Sequence, residues 1–199
     1  ATDYTFGFNT AVEIATESID RLRTTGNSHK RCMVLEVMGR HAGWIALHSG
    51  IAGGAHVILI PENPESLDQI CAWVTSVKSR GRSPMVVVAE GFKLPEMKEA
   101  YSAKGLDGFN RPRLGGVGEV LAPLIEERTG IETRATILGH IQRGGVPSAY
   151  DRVLATRMGM ATADLVAEKG WGQMVALHGT EIARITFDEA LGELKTVPL

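Results

Sequence analysis

The stretch Arg134-Ala-Thr-Ile-Leu-Gly-His-Ile-Gln-Arg-Gly-Gly145 predicts an apolar strand that leads into a glycine-rich turn. The apolar, β-branched residues favour the strand, and the glycines let the turn approach a ligand without a Cβ atom in the way. The guanidinium of Arg143 carries a permanent charge and a fixed fork of donors, which suit a phosphate dianion. His140 adds another donor, so the turn is typical of a site for a phosphorylated sugar.

A second segment, Cys32-Met-Val-Leu-Glu-Val-Met-Gly-Arg-His-Ala-Gly43, has the same design, because an apolar strand is again followed by glycine, arginine and histidine. Pro84–Glu90 is a further apolar strand with Glu90 at its carboxyl end. These strands alternate with helical patterns, which predicts an α/β fold with a doubly wound, mostly parallel sheet in three α/β/α layers. Ligands of such sheets bind beyond the carboxyl ends of the strands, where Arg40, Glu90 and Arg143 are expected.

Hydrophobic periodicity and turn residues place the remaining elements. The first helix is predicted to end in Thr25-Gly26-Asn27-Ser28, and residues 91–114 are predicted to form a mobile excursion. Asp151 is predicted to complete the N-terminal cap of the helix that contains it, rather than to act as an acid. The predicted helices are 10–23, 43–51, 66–80, 116–129, 148–169 and 188–194, and the predicted strands are 31–37, 55–60, 84–90, 133–138, 174–177 and 182–185.

The composition indicates a soluble, globular chain, whose 199 residues are 44% hydrophobic and suffice for one or two domains. A formal net charge of -2 with scattered basic residues disfavours nucleic acid and anionic membranes as partners. No signal sequence opens the chain, and no apolar run is long enough to span a bilayer. Cys32 and Cys71 are predicted to be buried free thiols, so a reducing, cytoplasmic location is expected.

Both glycine-arginine segments, with Ala1-Thr-Asp-Tyr-Thr-Phe-Gly7 and Val88-Ala-Glu90, resemble the second half of a 6-phosphofructokinase over nearly all 199 residues. Gly39-Arg-His-Ala-Gly-Trp44 resembles the actinobacterial branch of that family. The resemblance implies a glycolytic kinase that phosphorylates fructose 6-phosphate to fructose 1,6-bisphosphate, with Mg²⁺ as cofactor. It also implies that residues 1–147 form the fructose 6-phosphate-binding domain, and that residues 148–199 form a return segment that packs toward the donor-binding domain.

Parts of the catalytic machinery are expected outside the chain. In the family, the catalytic aspartate lies in a Thr-Ile-Asp-Asn-Asp motif just before the stretch that matches Ala1-Thr-Asp-Tyr-Thr, and the glycine-rich donor loop with its Mg²⁺-linked acid lies earlier still. Neither motif occurs here, and the sequence begins without Met, as the middle of a longer chain would. The resemblance therefore implies that the isolated chain is inactive, with the base and the Mg²⁺ ligands elsewhere.

The resemblance assigns roles to individual residues of the pocket. Arg40 matches an arginine that helps to stabilise charge in the transition state, and it is the catalytic residue expected within this chain. Glu90 matches a glutamate that accepts hydrogen bonds from sugar hydroxyls. The substrate-binding residues expected in this pocket, where the first two contribute backbone, are Met38, Gly39, Arg40, Glu90, His140 and Arg143.

Arg31 and Arg134 begin their strands, at the end of the sheet away from the expected pocket, and the residue pattern alone assigns them a structural role. The resemblance implies instead that they reach across a subunit interface to the 6-phosphate in the neighbouring site. Identical subunits, as a dimer or a tetramer, are therefore expected partners.

Three questions stay open in the sequence. The actinobacterial branch contains users of both ATP and pyrophosphate, of which ATP is expected here and pyrophosphate is the alternative. Binding of ADP or phosphoenolpyruvate at an effector site is also open, because His56 stands where short bacterial enzymes carry a glutamate, although Arg23 matches an effector arginine. A non-catalytic sugar-phosphate-binding domain is an alternative to an enzyme, whereas a dinucleotide-binding domain is disfavoured because no Gly-x-Gly-x-x-Gly follows a first strand.

Overall fold

Helices and strands alternate through most of the chain. The computed structural model describes residues 2–95 and 116–199, so most of the excursion predicted at 91–114 lies outside the described residues. The elements are α1 Phe8–His29, β1 Cys32–Val37, α2 Trp44–Ala52, β2 Val57–Leu59, α3 Leu67–Ser79, β3 Met85–Ala89, α4 Val117–Thr129, β4 Thr133–Ile137, a 3-10 helix Gly139–Arg143, α5 Ala149–Ala167, β5 Gln173–His178, β6 Glu181–Thr186 and α6 Phe187–Gly192.

Strands β1 to β4 form one sheet in the order β2-β3-β1-β4, and every neighbouring pair is parallel. Core residues of α3 and α4 pack on one face of the sheet, and core residues of α1 and α2 pack on the other. The central strands β1 and β3 are buried along their whole length, because each is covered on both faces. The predicted parallel, three-layer α/β architecture is confirmed.

Helix α1 is longer than the sequence predicts. The stretch Thr25-Gly26-Asn27-Ser28 does not end the helix, which continues to His29 and stops at Lys30, where φ is 56°. A Cβ atom on Gly26 would lie 2.9 Å from the Met33 side chain on β1. This glycine therefore allows a close approach of helix to strand, and its presence was wrongly interpreted as a helix stop.

The chain divides into two compact units, of which one comprises Val12–Gly144 with Thr196–Leu199 and contains the parallel sheet. Val197 is buried in the cluster on the α1 and α2 face, and its N–H donates to the Glu62 carboxylate at 2.9 Å. This bond fixes the last residues of the chain to the unit that holds the sheet.

The other unit comprises Ala1–Ala11 and Gly145–Lys195. Strands β5 and β6 pair antiparallel in a separate two-stranded sheet, and α5 packs on it through Leu154 and Met158. Both predicted strands are present, and they form an antiparallel hairpin. The division of function between residues 1–147 and 148–199 stays a prediction.

Asp151 caps a different helix from the one that contains it. Its Oδ2 accepts the Thr10 N–H at 2.8 Å and the Thr10 hydroxyl at 2.5 Å, at the start of α1. Helix α5 is capped by Ser148, whose hydroxyl oxygen accepts the Asp151 N–H at 3.3 Å, and the Ser148 N–H donates to Thr10 Oγ1 at 3.0 Å. The predicted cap of its own helix is therefore wrong, because this buried carboxylate reaches a partner distant in sequence.

The hydrogen bonds of Asp151 also set its charge. Burial raises the pKa of this carboxyl, but hydrogen bonds from the Thr10 side chain and from the backbone of Thr10, Gly7 and Asn9 outweigh burial, and the pKa lies below its ordinary value. Asp151 therefore stays ionised at neutral pH and links the N-termini of α1 and α5.

Candidate functional site

The carboxyl ends of β1 and β3 lie side by side, and their pairing continues beyond both strands. The Glu90 N–H donates to the Val37 carbonyl at 2.8 Å, and the Gly91 N–H donates to the Gly39 carbonyl at 2.9 Å. The extension brings the Glu90 side chain to Gly39, whose N–H donates to Oε1 at 3.4 Å. Glu90 is only half-buried, so its side chain is partly accessible to solvent.

Two glycines allow the backbone around Arg40 to run this close to β3. Gly39 has a φ of 150°, and a Cβ atom there would lie 2.8 Å from the Ala42 carbonyl oxygen. A Cβ atom on Gly91 would lie 2.0 Å from the Arg40 carbonyl oxygen. Sequence reasoning missed Gly91, for which the available signal is a glycine directly after the carboxylate that ends a strand.

The predicted phosphate turn is the 3-10 helix Gly139–Arg143, which starts just after β4. Gly139 has a φ of 50°, and His140 and Arg143 are exposed, so their donors face solvent. Gln142 between them is buried, and its Oε1 accepts the Met38 N–H at 2.6 Å. This bond joins the turn to the end of β1, so the structure brings together the two segments that the sequence analysis singled out.

A buried carboxylate near the carboxyl end of β1 binds the start of α4. Glu36 is 2% exposed, and its two oxygens accept the N–H groups of Gly116 and Gly118, each at 2.8 Å. These groups begin α4, where the helix dipole favours a negative charge. Glu36 therefore anchors α4 to the sheet, which the sequence analysis did not predict.

Arg31 and Arg134 lie at the opposite edge of the sheet. Glu132 bridges them, because its Oε2 lies 2.8 Å from Arg31 Nε and its Oε1 lies 2.5 Å from Arg134 Nη2. Arg134 also pairs with Glu126 at 3.3 Å. The hydrogen bond from Arg31, followed by the charges of Arg31 and Arg134, lowers the pKa of Glu132.

The distance along the strand separates these two arginines from the pocket residues. Positions 31 and 38 are seven residue steps apart, which corresponds to about 23 Å in a strand. The structure of one chain therefore does not bring Arg31 and Arg134 together with Met38, Arg40 and Arg143. Their position at the strand beginnings agrees with the sequence analysis, and their reach to a neighbouring subunit stays a prediction.

Arg23 and His56, the two residues on which the effector prediction depends, form hydrogen bonds within the chain. A terminal nitrogen of Arg23 donates to the carbonyl oxygens of Gly53 and Gly54, and the Met85 N–H donates to His56 Nδ1 at 3.1 Å. Burial lowers the pKa of His56, and nearby arginines lower it further. These arginines are Arg23, Arg82 and Arg80.

The two cysteines are free and buried. Burial raises the pKa of the Cys32 thiol to about 12, so this thiol is protonated at neutral pH. Within residues 2–95 and 116–199, no group of three His, Cys, Asp or Glu side chains is arranged to hold a metal ion. In this part of the chain no helix combines the length and the apolar character needed to cross a membrane.

Comparison with known proteins gives three sequence matches. The family model described as Phosphofructokinase matches residues 1–166. A pyrophosphate–fructose 6-phosphate 1-phosphotransferase from Amycolatopsis methanolica is 59% identical over 198 residues, which are 100% of this chain and 58% of that protein. An ATP-dependent 6-phosphofructokinase from Mycobacterium tuberculosis is 50% identical over 198 residues, which are 99% of this chain and 58% of that protein.

Solved structures give the same result at the level of the fold. A phosphofructokinase structure from Saccharomyces cerevisiae superposes with a TM-score of 0.81 at 36% identity, over 96% of this chain and 24% of that one. A pyrophosphate-dependent phosphofructokinase from Marinobacter aquaeolei superposes with a TM-score of 0.81 at 24% identity, over 99% of this chain and 50% of that one, and supports the fold alone. The chain spans 58% of the length of the curated relatives described above.

Proposed function

This chain belongs to the phosphofructokinase family, and on this premise we propose that it supplies the sugar side of an enzyme that converts fructose 6-phosphate to fructose 1,6-bisphosphate. One observation carries the proposal. The Met38 N–H bond to Gln142 joins the turn that holds His140 and Arg143 to the strand end that precedes Arg40. Two donor-rich segments more than 90 residues apart in sequence therefore meet at one edge of the sheet.

In the proposed complex, Arg143 and His140 bind the 6-phosphate of the sugar. Both side chains are exposed, and an arginine fork matches the geometry and the charge of a phosphate dianion. Glu90 accepts hydrogen bonds from sugar hydroxyls, and the backbone at Met38 and Gly39 lies along the sugar. The half-buried position of Glu90 beside Gly39 supports this arrangement.

Arg40 has the catalytic role in the proposed reaction. The C1 hydroxyl oxygen of the sugar bonds to the terminal phosphorus of the donor, the bond from that phosphorus to the leaving group breaks, and the hydroxyl proton passes to a base. Charge spreads over the oxygens of the phosphoryl group during the transfer, and a guanidinium stabilises it. The base and the Mg²⁺ ligands are assigned to parts of the enzyme outside the described residues.

Arg31 and Arg134 are proposed to complete the phosphate site of a neighbouring, identical subunit. Their location at the edge of the sheet away from their own pocket supports this role. Glu132, which pairs with both, holds their guanidinium groups in the absence of substrate.

For the phosphoryl donor we propose pyrophosphate first and ATP second. The relative with 59% identity is named for pyrophosphate, and the relative with 50% identity is named for ATP. The sequence analysis expects ATP, but the relative that is named for ATP is less similar to this chain than the relative that is named for pyrophosphate. With either phosphoryl donor, the hydrogen-bond donors of Arg143 and His140 are proposed to bind the sugar phosphate.

The test is an assay of the complete enzyme that carries these residues, with fructose 6-phosphate, Mg²⁺ and either pyrophosphate or ATP. Fructose 1,6-bisphosphate is expected with one donor, and the isolated 199-residue chain is expected to form none with either. Binding of fructose 6-phosphate without turnover by the complete protein would favour the non-catalytic alternative. Product formation by the pure chain would contradict the assignment of the base to another part of the enzyme.

A further inference from the structure

Gln142 differs from every neighbour in its turn. It is 2% exposed, whereas His140, Ile141, Arg143 and Gly144 are all exposed. Burying a primary amide is unfavourable unless its hydrogen bonds are made, and an apolar side chain of the same length would fill the space without this cost. The buried amide therefore depends on a hydrogen bond that packing alone does not supply.

That hydrogen bond replaces a missing rung of the parallel sheet. The Leu138 N–H donates to the Glu36 carbonyl at 3.1 Å, and the next rung of a parallel ladder would join the Met38 N–H to the Leu138 carbonyl. Leu138 has instead turned into helical geometry, with φ -72° and ψ -39°, and its carbonyl accepts the Ile141 N–H at 3.2 Å. Gln142 Oε1 takes its place and accepts the Met38 N–H at 2.6 Å.

The amide nitrogen of Gln142 differs from the amide oxygen in its surroundings. Gln142 Nε2 is buried and has no hydrogen-bond partner among residues 2–95 and 116–199. Met38 and Gly39 are thus held by two side chains, because Gln142 binds the first N–H and Glu90 binds the second. Gln142 connects this strand end to the turn that holds His140 and Arg143.

We propose that Gln142 is a positioning residue, which holds the Met38–Arg40 strand end in register with the His140–Arg143 turn so that both act on one phosphorylated sugar. The inference rests on the proposed function. Gln142 touches no substrate in this role and acts through the Met38 N–H. Loss of the bond lets the two arginines move independently, which weakens sugar binding and lowers the fraction of bound complexes in which Arg40 is aligned.

The test uses Gln142→Met in the complete enzyme, because Met keeps the length and the packing but removes the amide acceptor. The KM for fructose 6-phosphate is expected to rise at least about tenfold and kcat to fall several-fold, with the KM for the donor unchanged. A merely structural role would change the thermal stability and both KM values together. Gln69→Met makes the same chemical change on the exposed face of α3 and is expected to leave all parameters at wild-type values.

Hydrogen exchange tests the bond itself. The Met38 amide is expected to be protected in the wild-type enzyme and in Gln142→Glu, which keeps an acceptor, and to exchange faster in Gln142→Met and in Gln142→Asn, whose side chain is one methylene shorter. A Met38 amide that exchanges freely in the wild type would overturn the proposal even if no variant folds. Wild-type kinetics in Gln142→Met would also overturn it. Failure of the wild-type enzyme to phosphorylate fructose 6-phosphate, with Met38 protected, would contradict the proposed function and not the bond.

Discussion

Arg143 and Arg40 are assigned to different stages of the reaction, and their removal is expected to separate binding from catalysis. Arg143→Ala removes a charge-assisted contact to the sugar phosphate worth about 1.5–3 kcal/mol, so the KM for fructose 6-phosphate should rise about tenfold to a hundredfold. Arg40→Ala should chiefly lower kcat. Steady-state kinetics of the complete enzyme measures both, with Arg21→Ala in an exposed ion pair of α1 as the control. Wild-type kcat and KM in both variants would contradict the site.

Gly91 is the residue at which one added methyl group is expected to do most damage. Gly91→Ala places a Cβ atom 2.0 Å from the Arg40 carbonyl oxygen, so the backbone of either Arg40 or β3 must move. We expect at least about a hundredfold loss of kcat/KM, because a shift of about 1 Å in the position of a catalytic group such as Arg40 can lower the rate by that factor. Gly159→Ala has no atom within 4 Å of its Cβ and should keep the activity. Equal activities of the two variants would show that the close approach is dispensable.

The sequence predicts the glycine, arginine and histidine residues at the strand ends, but it does not predict the buried polar residues that support them. Glycine, arginine and histidine at a strand end are visible locally, because their chemistry is unusual after an apolar run. Gln142 and Glu36 are not visible in this way, because their burial depends on partners 104 and 80 residues away, at Met38 and Gly116. The identity of a polar residue does not show whether its side chain faces solvent or binds a backbone N–H that is distant in sequence.

At the scale of elements, Glu36 is expected to determine how firmly α4 is held on the sheet. Glu36→Gln removes a charge that two helix N–H groups share, and it turns an NH₂ group toward one of them. We expect a loss of about 2 kcal/mol in the free energy of unfolding, measured by urea denaturation of the complete enzyme. Glu119→Gln, exposed in the first turn of α4, should cost only a few tenths of this, and equal losses would contradict the anchoring role.

The link between α1 and α5 is expected to make stability depend on acid pH. The pKa of Asp151 is lower in the folded state than its ordinary value of 3.8, so its contribution is complete above that value and is lost as the pH falls through the folded pKa. Asp151→Asn should therefore be less stable than the wild type at pH 7 by about 2 kcal/mol, and the difference should shrink below about pH 4. Urea denaturation at pH 7 and pH 3 measures both, and a constant difference would contradict this assignment.

Local sequence signals identified the elements more reliably than their ends and caps. Continuous apolar runs placed β1 and β3, because strands covered on both faces need apolar residues at every position. The end of α1 was misplaced because Gly26 serves its packing on β1, and the cap at Asp151 was misassigned because a carboxylate can serve either of two helix starts. In both cases a tertiary contact overrode a local preference.

At the scale of the whole molecule, the two arginines at the strand beginnings give a test of shared sites. Arg134→Ala is expected to impair the neighbouring pocket, whereas Arg143→Ala impairs its own, so each pure variant should lose activity. Mixing them under conditions that exchange subunits should restore part of the activity, through sites that receive both native arginines. Native mass spectrometry confirms the hybrids. Hybrids without recovered activity would argue that each site is built from one chain and that Arg134 only pairs with Glu132 and Glu126.

The division of the chain into Val12–Gly144 and Gly145–Lys195, with the ends exchanged between the units, bears on how the protein is made. A ribosome adds β1 to β4 before it adds any residue of α5, so all the strands of the parallel sheet are made before the smaller unit is complete. Residues 2–11 are made before β1, yet they wait longer for their partners, because the Asp3 N–H pairs with the Leu177 carbonyl and Thr10 pairs with Asp151. Synthesis from the amino terminus therefore separates the assembly of the sheet from that of the smaller unit.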